Sequence, residues 1–114
     1  MDNLKPTVAL FDLDKTLIPG DSDHGWGDFL VSRGYVDQMF YQGRNDYFYG
    51  QYTAGTMDIY EYCEFAFKVL ADNDMATLKA WRSEYLETII APMLRPQAMA
   101  LVKKHRDAGH ICAL

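Results

Sequence analysis

The sequence predicts an α/β fold in which a helical block is inserted after the first strand of a parallel sheet. Three observations predict it. Thr7-Val8-Ala9-Leu10-Phe11 is a short apolar run rich in β-formers and reads as a buried strand. Helical periodicity then dominates from Trp26 to Ile89. The chain closes on one more helical pattern followed by Ile111-Cys112-Ala113-Leu114, which reads as the start of a second strand. Two strands joined by such a crossover run parallel, and parallel sheets are stable only with several strands covered on both faces. The chain therefore reads as the front part of a larger α/β protein, with its sheet core incomplete.

Each element has a local justification. Asp12 to Asp23 carries the turn formers Asp, Pro19, Gly20 and Ser22 and is expected to be loop. Trp26, Phe29 and Leu30 share one helical face, and Gly34 suits the stop. Val36, Met39, Phe40, Tyr47 and Phe48 suggest a second helix, interrupted by Gly43 and Gly50. Asp58 with Glu61 three residues on resembles a capping box, and Ile59, Tyr62, Phe65, Ala66 and Val69 follow at helical spacing. Asp74 opens a further helix through Leu78, Trp81, Tyr85, Leu86 and Ile89, which Pro92 closes. Pro96 suits a first helical turn, Met99 and Val102 face inward, bases gather in the last turn, and Gly109 ends the helix. This assigns residues 1–20 and 92–114 to the partial sheet core and residues 21–91 to the helical insertion.

Composition narrows the function classes. At 49% hydrophobic and 24% charged, with 8 Gly and 4 Pro in 114 residues, the chain has the profile of a soluble globular unit, not of a disordered, collagenous or disulfide-framework protein. No stretch approaches the roughly 18 apolar residues of a membrane span, and the opening MDNLKPTVAL lacks the apolar core of a signal peptide. Cys63 and Cys112 are far apart with no partner spacing, so a reducing, cytoplasmic setting is expected, with both thiols packed as small apolar groups. A net charge of −5 argues against a nucleic-acid-binding surface. Within the first 30 residues six acids (Asp2, Asp12, Asp14, Asp21, Asp23, Asp28) face only two lysines. The acids are massed where the first apolar run ends.

That position matters chemically. In open α/β sheets ligands bind beyond the carboxyl ends of the strands, and Asp12 sits there. An Asp-x-Asp can aim two carboxyl groups at one reaction centre. Their repulsion is relieved when one takes a proton or a metal ion compensates both. An ionised Asp can then attack phosphorus while a protonated one donates to the leaving oxygen. Turn formation alone would also account for two loop aspartates. A calcium loop fits poorly: Leu17 stands where that loop has Gly, Asp23 where it has Glu, and a strand precedes it.

Val8-Ala9-Leu10-Phe11-Asp12-Leu13-Asp14-Lys15-Thr16-Leu17 resembles the first motif of the haloacid dehalogenase-like phosphatases. Gly20-Asp21-Ser22-Asp23, Trp26-Gly27, Phe29-Leu30 and the helical insertion are similar to the subfamily that includes phosphoserine phosphatases. The resemblance implies a Rossmann-like core with a helical cap. It implies Asp12 as nucleophile, Asp14 as acid/base, and Mg²⁺ held by the Asp12 carboxylate and the Asp14 carbonyl. Leu13 and Thr16 would belong to the phosphate loop, with Thr16 bracing it, and Asp21 is the candidate contact for a substrate ammonium. The substrate would be a small phosphorylated metabolite such as phosphoserine or histidinol phosphate. The family's phosphate-binding Ser/Thr, its Lys and its last metal-binding acid would lie beyond Leu114. The chain by itself is thus expected to be a truncated portion with negligible turnover, and the full-length protein an Mg²⁺-dependent phosphatase. A non-catalytic helical interaction module, rich in Tyr and Phe, is the alternative from another class.

Overall fold

The computed structural model describes residues 5–114 of the chain; Asp2, one of the massed acids, lies outside them. The order of elements is β1 (Val8–Leu10), a π-type turn (Leu13–Leu17), α1 (Ser22–Ser32), α2 (Gln38–Ala54), α3 (Ile59–Asp72), α4 (Met75–Tyr85), a second π-type turn (Leu86–Ile90), the short α5 (Ala91–Met93), α6 (Pro96–Asp107) and β2 (Ile111–Ala113). The chain divides into two compact units. One holds the described residues up to Ser22 together with Ile90–Leu114, and the other is Asp23–Ile89.

The first unit is built on the predicted parallel pair, so the α/β class is the one observed. β1 and β2 pair in register Val8 to Ile111, Ala9 to Cys112 and Leu10 to Ala113. The Phe11 amide donates to the Ala113 carbonyl and the Ile111 amide to the Thr7 carbonyl, extending the ladder at both ends. α6 returns the chain from β1 to β2. It opens on Pro96 in the first turn and closes through Gly109, whose φ of 81° only glycine adopts without strain.

The reading of β1 as a buried strand is corrected here. Val8 is 52% and Leu10 80% exposed, and Ile111 on β2 is 53% exposed. A strand is buried by neighbours and by covering helices; among the described residues β1 has one neighbouring strand, and its side chains stay largely exposed. Cys112 is exposed for the same reason, against its expected packing as a small apolar group, while Cys63 is half-buried. His105 and His110, five residues apart with no recognisable ligand spacing, are brought together by the tight turn after α6. Their Nδ1 atoms lie 2.9 Å apart, one donating and one accepting.

The second unit is helical throughout. α2 is one helix and runs straight through Gly43 and Gly50, which were expected to interrupt it. Each glycine costs a helix about 1 kcal/mol relative to alanine, a deficit that packing of Tyr41 and Phe48 offsets. Asp37 caps α2 through the Phe40 amide, Asp58 caps α3 through the Tyr60 and Glu61 amides, and Asp74 caps α4 through the Thr77 amide. The core comprises Phe29, Leu30, Tyr41, Phe48, Val69 and Tyr85. Phe48 and Phe65 stack at 5.3 Å, Tyr41 lies 4.6 Å from Phe65, and Phe29 lies 5.2 Å from Tyr85. Not every aromatic is core. Phe40, Tyr52 and Tyr60 point out, at 64%, 59% and 81% exposure.

Candidate active site

The aspartate loop begins where β1 ends. Asp12 is in extended conformation (φ −96°, ψ 150°), and the chain then coils through Leu13–Leu17. Within this turn Asp14 returns to extended geometry and Lys15 takes the left-handed region at φ 57°, a conformation that costs a non-glycine residue roughly 1 kcal/mol. The loop closes on itself: the Lys15 amide donates to the Gly20 carbonyl and the Ile18 amide to the Leu13 carbonyl. The Arg95 amide donates to the Leu17 carbonyl and fastens the loop to the start of α6. Leu17 and Ile18 are buried, with Ile18 fully so. The apolar end of the motif thus anchors the loop and leaves the polar end free to present side chains.

Thr16 Oγ donates to Asp12 Oδ2 at 3.0 Å. Its second contact, 3.5 Å from the Asp14 carbonyl, is at the limit of a hydrogen bond; a hydroxyl has one proton, and the shorter contact takes it. Asp12 is exposed, and its other carboxylate oxygen accepts no hydrogen bond from a described residue. Asp14 is half-buried and is held by the main chain: its Oδ1 accepts the Ser22 backbone N–H at 2.8 Å. Leu13 is half-buried and contributes its carbonyl to loop closure, and Asp21 is half-buried just before α1. Asp12, Leu13, Asp14 and Thr16 therefore sit in one short self-closed loop, with Asp21 at its exit.

A second polar cluster lies in the helical unit. His24 Nε2 is 3.1 Å from Asp46 Oδ1, and its Nδ1 is 3.6 Å from Asp28 Oδ2. The His24 ring stacks on Tyr49 at 4.3 Å. Gln42 donates to both Asp28 and Asp46. The buried Asn45 donates to Asp28 Oδ1 and to the His24 carbonyl. These contacts join α1 to α2 with charge and hydrogen bonds where Gly27 lets the helices come close. A Cβ at Gly27 would fall 2.4 Å from the Asn45 amide. Nothing in the spacing of the sequence announces this cluster except His24 and Asp28 at i and i+4.

A family model described as haloacid dehalogenase-like hydrolase matches residues 9–114. The chain belongs to the haloacid dehalogenase-like hydrolases. It is 36% identical over 102 residues to a histidinol-phosphatase of Neisseria meningitidis serogroup C (strain 8013), covering 90% of this chain and 46% of that protein. A solved structure of a protein with unknown function from Bordetella pertussis Tohama I matches with a TM-score of 0.83 at 38% identity. The match covers 96% of this chain and 50% of that one. The chain thus spans about half the length of the relatives it matches.

For a haloacid dehalogenase-like hydrolase, the loop geometry adds two particulars to the motif. Asp12 and Asp14 have different surroundings, one exposed and braced by a hydroxyl, the other half-buried and gripped by a main-chain amide. The Ser22 amide escaped sequence reasoning because its role is carried by the backbone, which residue type does not reveal. Arg44 lies over the Tyr47 and Phe48 rings at 5.2 and 4.9 Å.

Proposed function

We propose that this chain is a portion of an Mg²⁺-dependent phosphomonoesterase that works through an aspartyl-phosphate on Asp12. In this reading residues 1–20 and 92–114 belong to the catalytic core and residues 21–91 form the cap. The observation that supports it best is the division of labour in the loop. Thr16 holds one oxygen of Asp12 and leaves the other without a hydrogen bond from a described residue, on an exposed side chain, as a nucleophile requires. Asp14 stands two residues on, fixed in orientation, as a proton donor requires.

The chemistry runs in two displacements. An Asp12 oxygen bonds to phosphorus, the bond from phosphorus to the ester oxygen breaks, and Asp14 protonates the departing alcohol. Water then attacks the same phosphorus, gives its proton to Asp14, and the bond to Asp12 breaks to release phosphate. Both steps depend mainly on positioning and charge neutralisation. An Asp12 carboxylate oxygen and the Asp14 carbonyl are hard donors of the kind Mg²⁺ takes together with waters and phosphate oxygens. When bound there, the ion would neutralise phosphate charge. The similarity to a histidinol-phosphatase supports a small phosphorylated metabolite as substrate, with histidinol phosphate and phosphoserine as the first two to try. A cytoplasmic setting agrees with the two free cysteines.

Phosphate release from those two compounds by the full-length protein, with Mg²⁺ and with EDTA, tests the reading. Turnover is expected only with the metal, Asp12→Asn is expected to abolish it, and residues 1–114 alone are expected to turn over negligibly. Undiminished turnover by Asp12→Asn sinks the proposal. A second reading, a helical interaction module, draws on the exposed Phe40, Tyr52 and Tyr60. It gains if the wild-type full-length protein, with Mg²⁺ present, releases no more phosphate than the Asp12→Asn protein and neither exceeds background.

A further inference from the structure

Asp14 carries two carboxyl oxygens, and the structure treats them differently. Oδ1 accepts the Ser22 backbone N–H at 2.8 Å across eight residues of chain. No hydrogen bond in the structure goes to Oδ2 from any described residue. Ser22 is the first residue of α1, so its N–H is one of the donors that a helix leaves without an internal acceptor. The Asp14 carboxylate takes the place an N-cap side chain would fill, and it does so from the aspartate loop.

Given the phosphatase reading, on which this rests, we propose that the main-chain amide of Ser22 positions Asp14 for proton transfer. It occupies Oδ1, fixes the plane of the carboxyl group, and leaves Oδ2 as the oxygen that gives the proton to the leaving alcohol and takes one from water. What the amide supplies is orientation. Without it the side chain is free to turn about χ1 and χ2, and the proton is in line with the ester oxygen only part of the time. The side chain of Ser22 is not needed for this; the N–H is.

Ser22→Pro removes the donor at a position where proline is well tolerated, because the first helical turn has N–H groups to spare. The discriminating readout is the leaving group. The alcohol of an alkyl phosphate would depart as a strongly basic alkoxide and needs the proton, whereas p-nitrophenolate leaves without one. In the full-length protein Ser22→Pro is expected to lower kcat/KM, which reports the steps up to departure of the alcohol, about 10²-fold on an alkyl phosphomonoester, the scale of a general-acid contribution. The kcat/KM for p-nitrophenyl phosphate should fall far less, because the water step that the two substrates share does not enter it. Equal losses of kcat/KM on both substrates, or none on either, overturn the proposal. Asp12→Asn run alongside separates the two levels. If it abolishes turnover while Ser22→Pro matches wild type, only the positioning role fails; if it leaves turnover intact, the aspartyl-phosphate reading on Asp12 fails and the positioning role with it. Should Ser22→Pro not fold, the Ser22 amide resonance decides. Asp14→Ala should shift its proton upfield, and an unmoved resonance overturns the proposal.

Discussion

The two units of this chain solve opposite problems. The helical unit, Asp23–Ile89, holds six of the buried apolar residues, linked by aromatic contacts and polar crosslinks. The unit with the aspartate loop buries only Leu17, Ile18 and Ile90 among its described residues, and leaves Leu10, Leu101 and Ile111 exposed. Its order is local: a loop that closes on itself, a two-stranded pairing, and one helix return. Stability is therefore concentrated where no chemistry is proposed, and the side chains proposed to react stand on the part with less core. Substitutions that cost folding and substitutions that cost turnover should fall in different units.

The largest stability effect tests the first half of that contrast. Phe48 is 2% exposed and its ring meets Tyr47, Tyr62 and Phe65. Phe48→Ala removes a large buried ring and leaves a cavity that helices can close only partly. It should destabilise the helical unit by about 3–5 kcal/mol, read as a drop in urea midpoint at unchanged slope. A loss below about 1 kcal/mol would mean that the aromatic cluster is not the core of this unit.

Glycine positions give a smaller and sharper comparison, because one helix pair supplies both signs. A Cβ at Gly27 would lie 2.4 Å from Asn45 side-chain atoms, and Asn45 is itself buried and committed to two hydrogen bonds. Gly27→Ala should therefore destabilise by about 1–3 kcal/mol. Gly43 in the middle of α2 meets nothing within 4 Å and has ordinary helical φ. Gly43→Ala should stabilise by about 0.5–1 kcal/mol through helix propensity alone. Thermal denaturation of the two variants reads both signs; equal signs would show that the approach of α1 to α2 at Gly27 is not tight.

Gly43 also shows where the sequence misled. Its presence argued for a break in α2, yet helical periodicity in Tyr41, Asn45 and Phe48 was the stronger signal, since all three are buried on one face. The legible features were those with a local cause. Asp58 and Asp74 cap helices as their spacing foretold, Pro96 and Gly109 bracket α6, and the Asp-x-Asp-x-Thr loop follows the first strand. What could not be read was set by distant contacts or by backbone atoms. The exposure of Val8 and Leu10 depends on which strands flank β1. The cluster of His24, Asp28 and Asp46 depends on the pairing of two helices, and the grip on Asp14 comes from an amide that every non-proline residue has.

The smallest expected effect comes from the polar crosslink around Glu84. Arg33 Nε donates to Glu84 Oε2 at 2.8 Å, the Tyr35 hydroxyl donates to Oε1 at 2.7 Å, and the Tyr35 ring stacks flat on Trp81 at 4.4 Å. The Arg33 and Tyr35 hydrogen bonds hold the Glu84 carboxyl below the usual glutamate range, and the bond to Glu84 raises the Tyr35 phenol. A lowered folded pKa means that the unfolded chain binds the proton first as pH falls. The stabilisation is then complete above the ordinary glutamate pKa and is lost as pH drops through the lowered folded value. Glu84→Gln removes that dependence, so its thermal midpoint should lie below wild type near neutrality and converge with it in acid. Because the group is solvent-facing, the gap should also shrink as salt is added. A gap that stayed constant with pH would assign the loss to packing of Tyr35 against Trp81, and the helical unit would then owe its order to aromatic contact without a contribution from charge.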